Sequence, residues 1–268
     1  IKWSYDNLWH VAVHFIGFFT NMIQQKQDAQ VVKEQFSQIL PPPAQNQQPF
    51  PQDWQEIELK NLALEFTNPK GKNVDIRVPQ LKLKKGEKVG VIGESGAGKS
   101  TILSTLLNLT DYQGEYLVDG QSARNFQVSN EVMMLINNFD PLFNLSVKEN
   151  IELGRDIKSA KLKLLLEKLQ INKFFPDLKA VIGDKNTYFS SGQLQRLRLL
   201  RGLVAKSQIY LLDEPFNGID KENKVKIIKF LKRYLKDQTV VLVTHDKAEL
   251  SLVDRVYEFQ GSRLVKQG

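Results

Sequence analysis

The chain of 268 residues contains no cysteine, which excludes a disulfide framework and any cysteine-ligated zinc site. Histidine is nearly as scarce: His10, His14 and His245 are scattered and offer little metal chemistry. Nothing near the start has the charged opening and small-residue cleavage site of a secretory leader. Long hydrophobic runs are missing too. The best candidate, Leu8 to Ile23, is interrupted by two histidines and falls short of the ~20 apolar residues a bilayer-spanning helix needs. It reads as a buried or interfacial helix, or as the end of a spanning one. Acidic charge is in the minority, 30 Asp+Glu against 37 Lys+Arg. The resulting net charge of +7 favours anionic ligands or an anionic membrane face, a solvated basic surface being the plainer reading. With 41% hydrophobic and 25% charged residues, the composition suits one large folded domain with an appendage.

The organisation changes along the chain. It opens on Ile1 rather than Met, and the expectation is a fragment of something longer, cut at both ends. From Gln24 to Leu40, Val31, Val32, Phe36 and Leu40 recur at helical spacing among polar residues, so an amphipathic helix is expected there. Pro41-Pro42-Pro43 forbids helix, and residues 41–54 read as a Pro-rich linker between an N-terminal helical segment, residues 1–40, and a domain over residues 55–268. From Ile57 the pattern switches to short β-branched runs alternating with helical ones, the mark of parallel strands with crossover helices. Buried strands are expected at Lys88–Ile92, Gln208–Leu212 and Thr239–Thr244, and antiparallel strands over Ile57–Leu83. Lys158–Leu169 and Lys221–Leu235 read as amphipathic helices whose lysines form a solvated face, so no nucleic-acid partner is expected. No internal repeat is visible.

The segment Gly93-Glu94-Ser95-Gly96-Ala97-Gly98-Lys99-Ser100 follows the first of these strands and opens a helix beginning at Thr101. Glycines at these positions let successive backbone N–H groups turn inward, and the helix adds the positive end of its dipole. Such a loop binds phosphate. Lys99 is expected to reach the β- and γ-phosphates of ATP, and the Ser100 hydroxyl to ligate Mg²⁺. In an open parallel sheet ligands bind beyond the carboxyl ends of the strands, so the residues just after each apolar run are the candidates. Asp213-Glu214 follow one run and His245 follows another. Asp213 fits the acid that holds Mg²⁺ through water, Glu214 the group that orients or deprotonates the attacking water, and His245 a contact to the γ-phosphate that keeps Glu214 in place.

Together these residues resemble the nucleotide-binding domain of ABC transporters, over about Ile57 to Gly268. The discriminating element is Phe189-Ser190-Ser191-Gly192-Gln193 at the head of an apolar-striped helix, similar to the family's LSGGQ signature. A plain helix cap is the other reading of Ser190. The resemblance implies an α/β P-loop NTPase fold with a mostly parallel sheet, an antiparallel β subdomain and a helical subdomain. It implies an Mg²⁺-dependent ATPase that works as a homo- or heterodimer, Ser190, Ser191, Gly192 and Gln193 of one protomer reading the γ-phosphate held by the other. Phe66 stands where the family stacks an aromatic ring on adenine, and Gly218-Ile219-Asp220 resembles the loop between the two sites. Val181-Ile182-Gly183-Asp184 resembles an exporter-specific segment. Two departures stand out: Asn138 replaces the Gln that contacts Mg²⁺, and Ser191 replaces the first signature glycine.

The N-terminal helix and linker resemble the exporter arrangement, in which the chain's own transmembrane domain is joined to the ATPase. That implies a membrane-associated protein with its ATPase on the cytoplasmic side. Thr244-His245-Asp246 is commoner among importer ATPases. An importer subunit, a soluble ABC ATPase and a weakly active half of a heterodimer therefore stay open.

Overall fold

The computed structural model describes residues 48–67, 73–182 and 189–267, with the side chains of residues 66, 67 and 73 left out. The two helices expected before Pro41, the Phe66 ring and Gly183-Asp184 lie outside the described residues. In chain order the elements are β1 (Gln48–Pro49), β2 (Glu56–Thr67), β3 (Asn73–Lys84), β4 (Lys88–Ile92), α1 (Lys99–Leu106), β5 (Gln113–Val118), β6 (Gln121–Ser122), β7 (Phe126–Gln127) and β8 (Met133–Ile136). They continue with α2 (Val147–Glu152), α3 (Ser159–Lys168), α4 (Ser191–Val204), β9 (Ile209–Asp213), α5 (Lys221–Tyr234), β10 (Thr239–Val243), β11 (Arg255–Gln260) and β12 (Arg263–Lys266). The chain divides into two units, one holding α2, α3 and α4 and the other holding all the strands with α1 and α5.

The larger unit is built on a ten-stranded sheet in the order β6-β5-β2-β3-β12-β11-β4-β10-β9-β8. The runs β4, β9 and β10 are apolar almost throughout and buried along nearly their whole length. That is the sequence signature of parallel strands covered on both faces. β8, β9, β10, β4 and β11 pair parallel, in a register that sets Val241 against both Val89 and Leu211, and Leu212 against Ile136. Parallel neighbours need a crossover, and α5 supplies the one from β9 to β10. α5 buries Ile227, Ile228 and Leu231, is capped by Asp220 and carries Lys232 and Arg233 in its last turn, where the helix dipole favours cations. On the other side β2 pairs antiparallel with β3 from Glu56–Lys84 to Thr67–Asn73, and with β5. The antiparallel strands expected over Ile57–Leu83 therefore belong to the same continuous sheet as the parallel ones.

The ends of β9, β10, α3 and α5 fall within one residue of expectation, and two other boundaries differ in ways that matter more. The helix after the phosphate loop starts at Lys99 rather than Thr101, because Gly98 itself takes the capping, left-handed conformation. More consequentially, Gln48 to Trp54 is not free linker. Gln48–Pro49 pairs with β7, while Phe50 and Trp54 are buried and pack edge-on at 6.4 Å between ring centroids. The Trp54 indole Nε1 donates to Gln208 Oε1 at 2.9 Å, and Gln208 Nε2 donates to Gln52 Oε1 at 2.9 Å. A buried indole with its N–H satisfied is a core residue, and a Pro-rich composition hid it.

The described part of the helical unit spans residues 139–182 and 189–204. Ser146 and Glu149 form a reciprocal capping box at the start of α2. Fully buried Asn150 accepts from the Phe143 N–H and donates to the carbonyls of Phe143, Leu145 and Ser146. From α4, Arg198 and Arg201 donate to the carbonyls of Asp140 and Pro141 at 2.8 and 2.7 Å. The loop after Phe139 is thus tied by side chains to the helix that carries the signature.

Replacing Trp54 by Ala removes a fully buried indole and the donor to Gln208 Oε1. It is expected to cost about 3–5 kcal/mol of stability, read from the midpoint and slope of urea unfolding. A loss below about 1 kcal/mol would mean that residues 48–54 do not belong to the folded core.

Candidate functional site

β4 ends at Ile92, and the chain turns at once. Gly93 has φ 151° and a Cβ there would sit 2.8 Å from Phe259 Cβ; Gly98 has φ 104° and its Cβ would sit 2.2 Å from Ile76 Cδ1. Both positions exclude any side chain, by backbone conformation and by space. Lys99 is 6% exposed and folds back over the loop, its Nζ donating to the carbonyls of Gly93 at 2.9 Å and Glu94 at 2.8 Å. The first turn of α1 holds no acidic side chain to neutralise its N–H groups. A loop closed by an ammonium and backed by a helix start is a binding place for an anion.

The register of the parallel strands brings the other expected residues to the same edge of the sheet. Asp213 closes β9 opposite Val243, and Glu214 N donates to the Val243 carbonyl at 2.9 Å. Asp213 accepts a hydrogen bond from the Ser100 hydroxyl. Burial pushes its carboxyl above the ordinary value, with the Ser100 bond and the Lys99 charge opposing and the Glu214 charge adding to the rise. Glu214 sits in the left-handed region at φ 47°, uncommon for a non-glycine residue. Its Oε1 meets His245 Nδ1 at 3.1 Å and its Oε2 accepts from Asn217 Nδ2. Burial works to raise its pKa, and the bonds from His245 and Asn217, with the positive charge of Lys99, outweigh that and hold it below the ordinary carboxylate value. At neutral pH Glu214 is ionised and can only accept, so the proton of its bond with His245 lies on Nδ1.

A cleft of about 910 Å³ opens beside the loop. Gly93 to Ala97 form one wall, with Val74, His245 and Lys247 among the other lining residues. Its size suits a ligand as large as a nucleotide. Oxygen donors for a hard dication are present in the Ser100 hydroxyl, the Asp213 carboxylate and Asn138, which follows β8. The side-chain oxygen Oδ1 of Asn138 is buried and accepts no hydrogen bond from the described residues. This donor set fits a cation such as Mg²⁺ that prefers oxygen and completes its shell with water and ligand phosphates.

Other expected residues have local roles on view. Ser190 and Gln193 lie in the helical unit, where the Gln193 N–H donates to Ser190 Oγ at 3.3 Å and the Ser190 N–H to Gln193 Oε1 at 2.9 Å. The helix-cap reading of Ser190 is therefore realised. Ser191 is the first residue of α4 and exposed, and Gly192 follows it buried. Asp220 caps α5 by accepting from the Asn223 N–H at 3.0 Å. Thr101 lies in the first turn of α1. Sequence reasoning passed over Asn217, which carries no periodic or motif signal, and Phe259, whose contact with Gly93 depends on β11 pairing with β4.

Comparison with known proteins gives a consistent picture. A family profile described as "ABC transporter" matches residues 76–217, just over half of the chain. An "Uncharacterized ABC transporter ATP-binding protein" of Haemophilus influenzae is 33% identical over 201 residues, covering 70% of this chain and 33% of its own length. An "ATP-dependent lipid A-core flippase" of Pectobacterium atrosepticum is 30% identical over 223 residues, covering 79% of this chain and 38% of its own length. The chain thus spans little more than a third of the length of these relatives. Among solved structures, a bacterial Atm1-family ABC exporter with ATP bound has the same fold, at a TM-score of 0.74 and 22% identity over 84% of this chain and 41% of its own.

The Glu214 carboxyl provides a test of the site's electrostatics. In His245→Ala, loss of the Nδ1 bond is expected to raise the pH at which Glu214 titrates, followed by carboxyl-carbon NMR. A depressed folded pKa contributes stability that is present above the ordinary carboxylate value of 4.5 and is lost as pH falls through the depressed value. The variant should therefore lose part of that stability near neutral pH. An unshifted Glu214 titration would remove His245 from the site.

Proposed function

The chain belongs to the ABC transporter family, and from that premise we propose that it is the Mg²⁺-dependent ATPase domain of an exporter. It would couple ATP-driven pairing of two such domains to the movement of a substrate across a membrane. The observation that carries the hydrolytic part of this reading is the Glu214 carboxylate. It is ionised, fixed on both oxygens by His245 and Asn217, and one residue beyond Asp213 on the sheet edge that carries the phosphate loop.

Lys99 exchanges its two loop carbonyls for the β- and γ-phosphate oxygens of ATP, where its charge offsets theirs. Glu214 accepts a proton from the water that attacks the γ-phosphorus as the bond to the β,γ-bridging oxygen breaks and ADP leaves, and His245 holds the carboxylate in line through Nδ1. Ser100, Asp213 and Asn138 are the residues that would hold Mg²⁺, which when bound would supply positive charge to offset that of the phosphates. Asn138 has one methylene fewer than the Gln of the family pattern, and with Ser191 it is expected to slow turnover without abolishing it. The adenine is assigned to Phe66, and the remaining phosphate contacts to the backbone of Gly93 to Ser100. Ser190 to Gln193 are assigned to the ATP of a second domain and Asp220 to the connection between the two sites.

The exporter reading is favoured over an importer subunit by the relatives. They include the lipid A-core flippase, "Multidrug resistance protein pgp-1" of Caenorhabditis elegans at 29% identity, and "Iron-sulfur clusters transporter ATM1, mitochondrial" of Candida albicans at 27% identity. The partners that follow are a second nucleotide-binding domain and a transmembrane domain in the same chain, with the ATPase on the cytoplasmic face of the membrane. Among the described residues no helix is long and apolar enough to cross a membrane.

Replacing Glu214 by Gln keeps the shape of the site and removes its base. Steady-state ATP hydrolysis should fall at least about 100-fold, while ATP binding, followed by a fluorescent analogue, persists. Turnover equal to the parent would sink the assignment.

A further inference from the structure

His245 is 61% exposed along its side chain, and among the described residues its ring is held only by the bond to Glu214. Where that ring points is therefore decided by the backbone of the residues around it. That backbone is fixed with unusual care. Thr244, fully buried, donates from Oγ1 to Glu249 Oε2 at 2.6 Å and accepts from the Asp246 N–H at 3.0 Å. Asp246 Oδ1 accepts from the Ala248 N–H at 2.9 Å, capping the short helix Lys247–Leu252. The remaining carboxylate oxygens, Asp246 Oδ2 and Glu249 Oε1, converge on one ammonium: Lys224 Nζ lies 2.8 Å from each.

Lys224 belongs to a different element. It stands in the first turn of α5, its N–H bonded to the carbonyl of the capping Asp220 at 2.9 Å. Asp220 lies three residues past Asn217, the side chain that holds the second oxygen of Glu214. The contacts thus close a circuit. Glu214 binds Asn217, the chain runs from Asn217 to the start of α5, Lys224 reaches Asp246 and Glu249, and Asp246 is the neighbour of His245, which returns to Glu214.

We propose that Lys224 is a positioning residue for hydrolysis: by clamping Asp246 and Glu249 it fixes the loop bearing His245 and ties the start of α5 to the Glu214–His245 pair. The inference rests on the ATPase reading above and adds to it a residue that touches neither nucleotide nor water. Glu249 is buried, and a buried carboxylate requires a cation or donors on both oxygens. Without Lys224, two carboxylates face one another with nothing between them, and their separation can only grow. Asp246 moves outward, and the Nδ1 bond of His245 lengthens or breaks. Burial opposes the charge on Lys224, but its bonds to Asp246 and Glu249 keep the ammonium above its ordinary pKa, so the clamp is fully charged at neutral pH. Lys226, two residues on, pairs with Glu222 on the exposed face of α5 and is the natural control.

The test compares Lys224→Met, Lys224→Arg, Lys226→Met and the double variant Lys224→Met/Glu249→Gln in the intact protein, with Glu214→Gln alongside. Misplacing a catalytic group by a fraction of an ångström up to 1 Å costs roughly 10- to 100-fold in rate. Lys224→Met is therefore expected to lower kcat about tenfold or more, with the ATP dissociation constant within about twofold of the parent. Lys224→Arg should restore most of the loss, and Lys226→Met should match the parent. The double variant removes the uncompensated buried charge, so its melting temperature should recover while kcat stays low, separating positioning from folding. Parent-like kcat in Lys224→Met or in the double variant overturns the proposal. So does a loss of ATP affinity in step with kcat, or a loss that Arg does not restore. Loss of hydrolysis in Glu214→Gln beside parent-like Lys224→Met defeats this inference alone, whereas full turnover by Glu214→Gln defeats the ATPase reading on which it stands.

Discussion

Everything at the candidate site hangs on the register of four parallel strands. β8, β9, β10 and β4 are paired so that Ile136 stands beside Leu212, Val243 beside both Asp213 and Val91, and the phosphate loop starts one residue past Ile92. A parallel pair has no tight turn to set its alignment. The alignment comes from burying near-continuous apolar runs on both faces, where a slip by one residue would carry a polar group such as Asp213 into the core. The same burial that fixes the strands thus fixes how far each polar terminus projects. Lys99, Asp213, Glu214 and His245 arrive at one edge although they are spread over almost 150 positions of sequence.

That edge concentrates charge in a partly desolvated place, and the two adjacent carboxylates are driven apart by their surroundings. Asp213, with Ser100 as its donor, is dominated by burial and resists ionisation. Glu214 has two side-chain donors and a nearby ammonium, and favours it. A cation at Asp213 would favour its ionised form against that burial, whereas protein groups alone keep Glu214 ionised. The left-handed backbone of Glu214 is the conformational cost of pointing its side chain at His245 rather than along the strand.

The sequence carried the local parts of this well and the long-range parts poorly. The phosphate loop was legible because its chemistry is written in consecutive residues: glycines where Gly93 and Gly98 admit no Cβ, then Lys99 and Ser100. Asp213, Glu214 and His245 were legible because each follows an apolar run. Strand β8 was missed, since Met133–Ile136 is four residues without β-branched enrichment until its end, and so was the hairpin of β11 and β12. The burial of Phe50 and Trp54 was hidden behind prolines, because a partner such as Gln208 lies 154 residues away. The contact of Lys224 with Asp246 and Glu249 escaped for the same reason: a lysine on an amphipathic helix looks solvated until the loop packed against it is known.

The capping role of Ser190 is compatible with the role proposed for it on the same side chain. In the capping box its Oγ accepts from the Gln193 N–H, and Gln193 Oε1 answers with a bond from the Ser190 N–H. A hydroxyl has one proton and two lone pairs, and this arrangement uses a single lone pair. The proton remains to be donated, and at the start of a 14-residue helix the acceptor most favoured is an anion. Under the proposed role, capping would also preorganise the site, because it fixes the serine's position without a phosphate and would spare the rotamer entropy of ordering it on binding. Ser191 places a second hydroxyl on the exposed first turn, where a glycine would offer only its N–H. The side chain that departs from the family pattern therefore adds a donor of the kind the position already uses, and its cost lies in the space it takes rather than in its polarity.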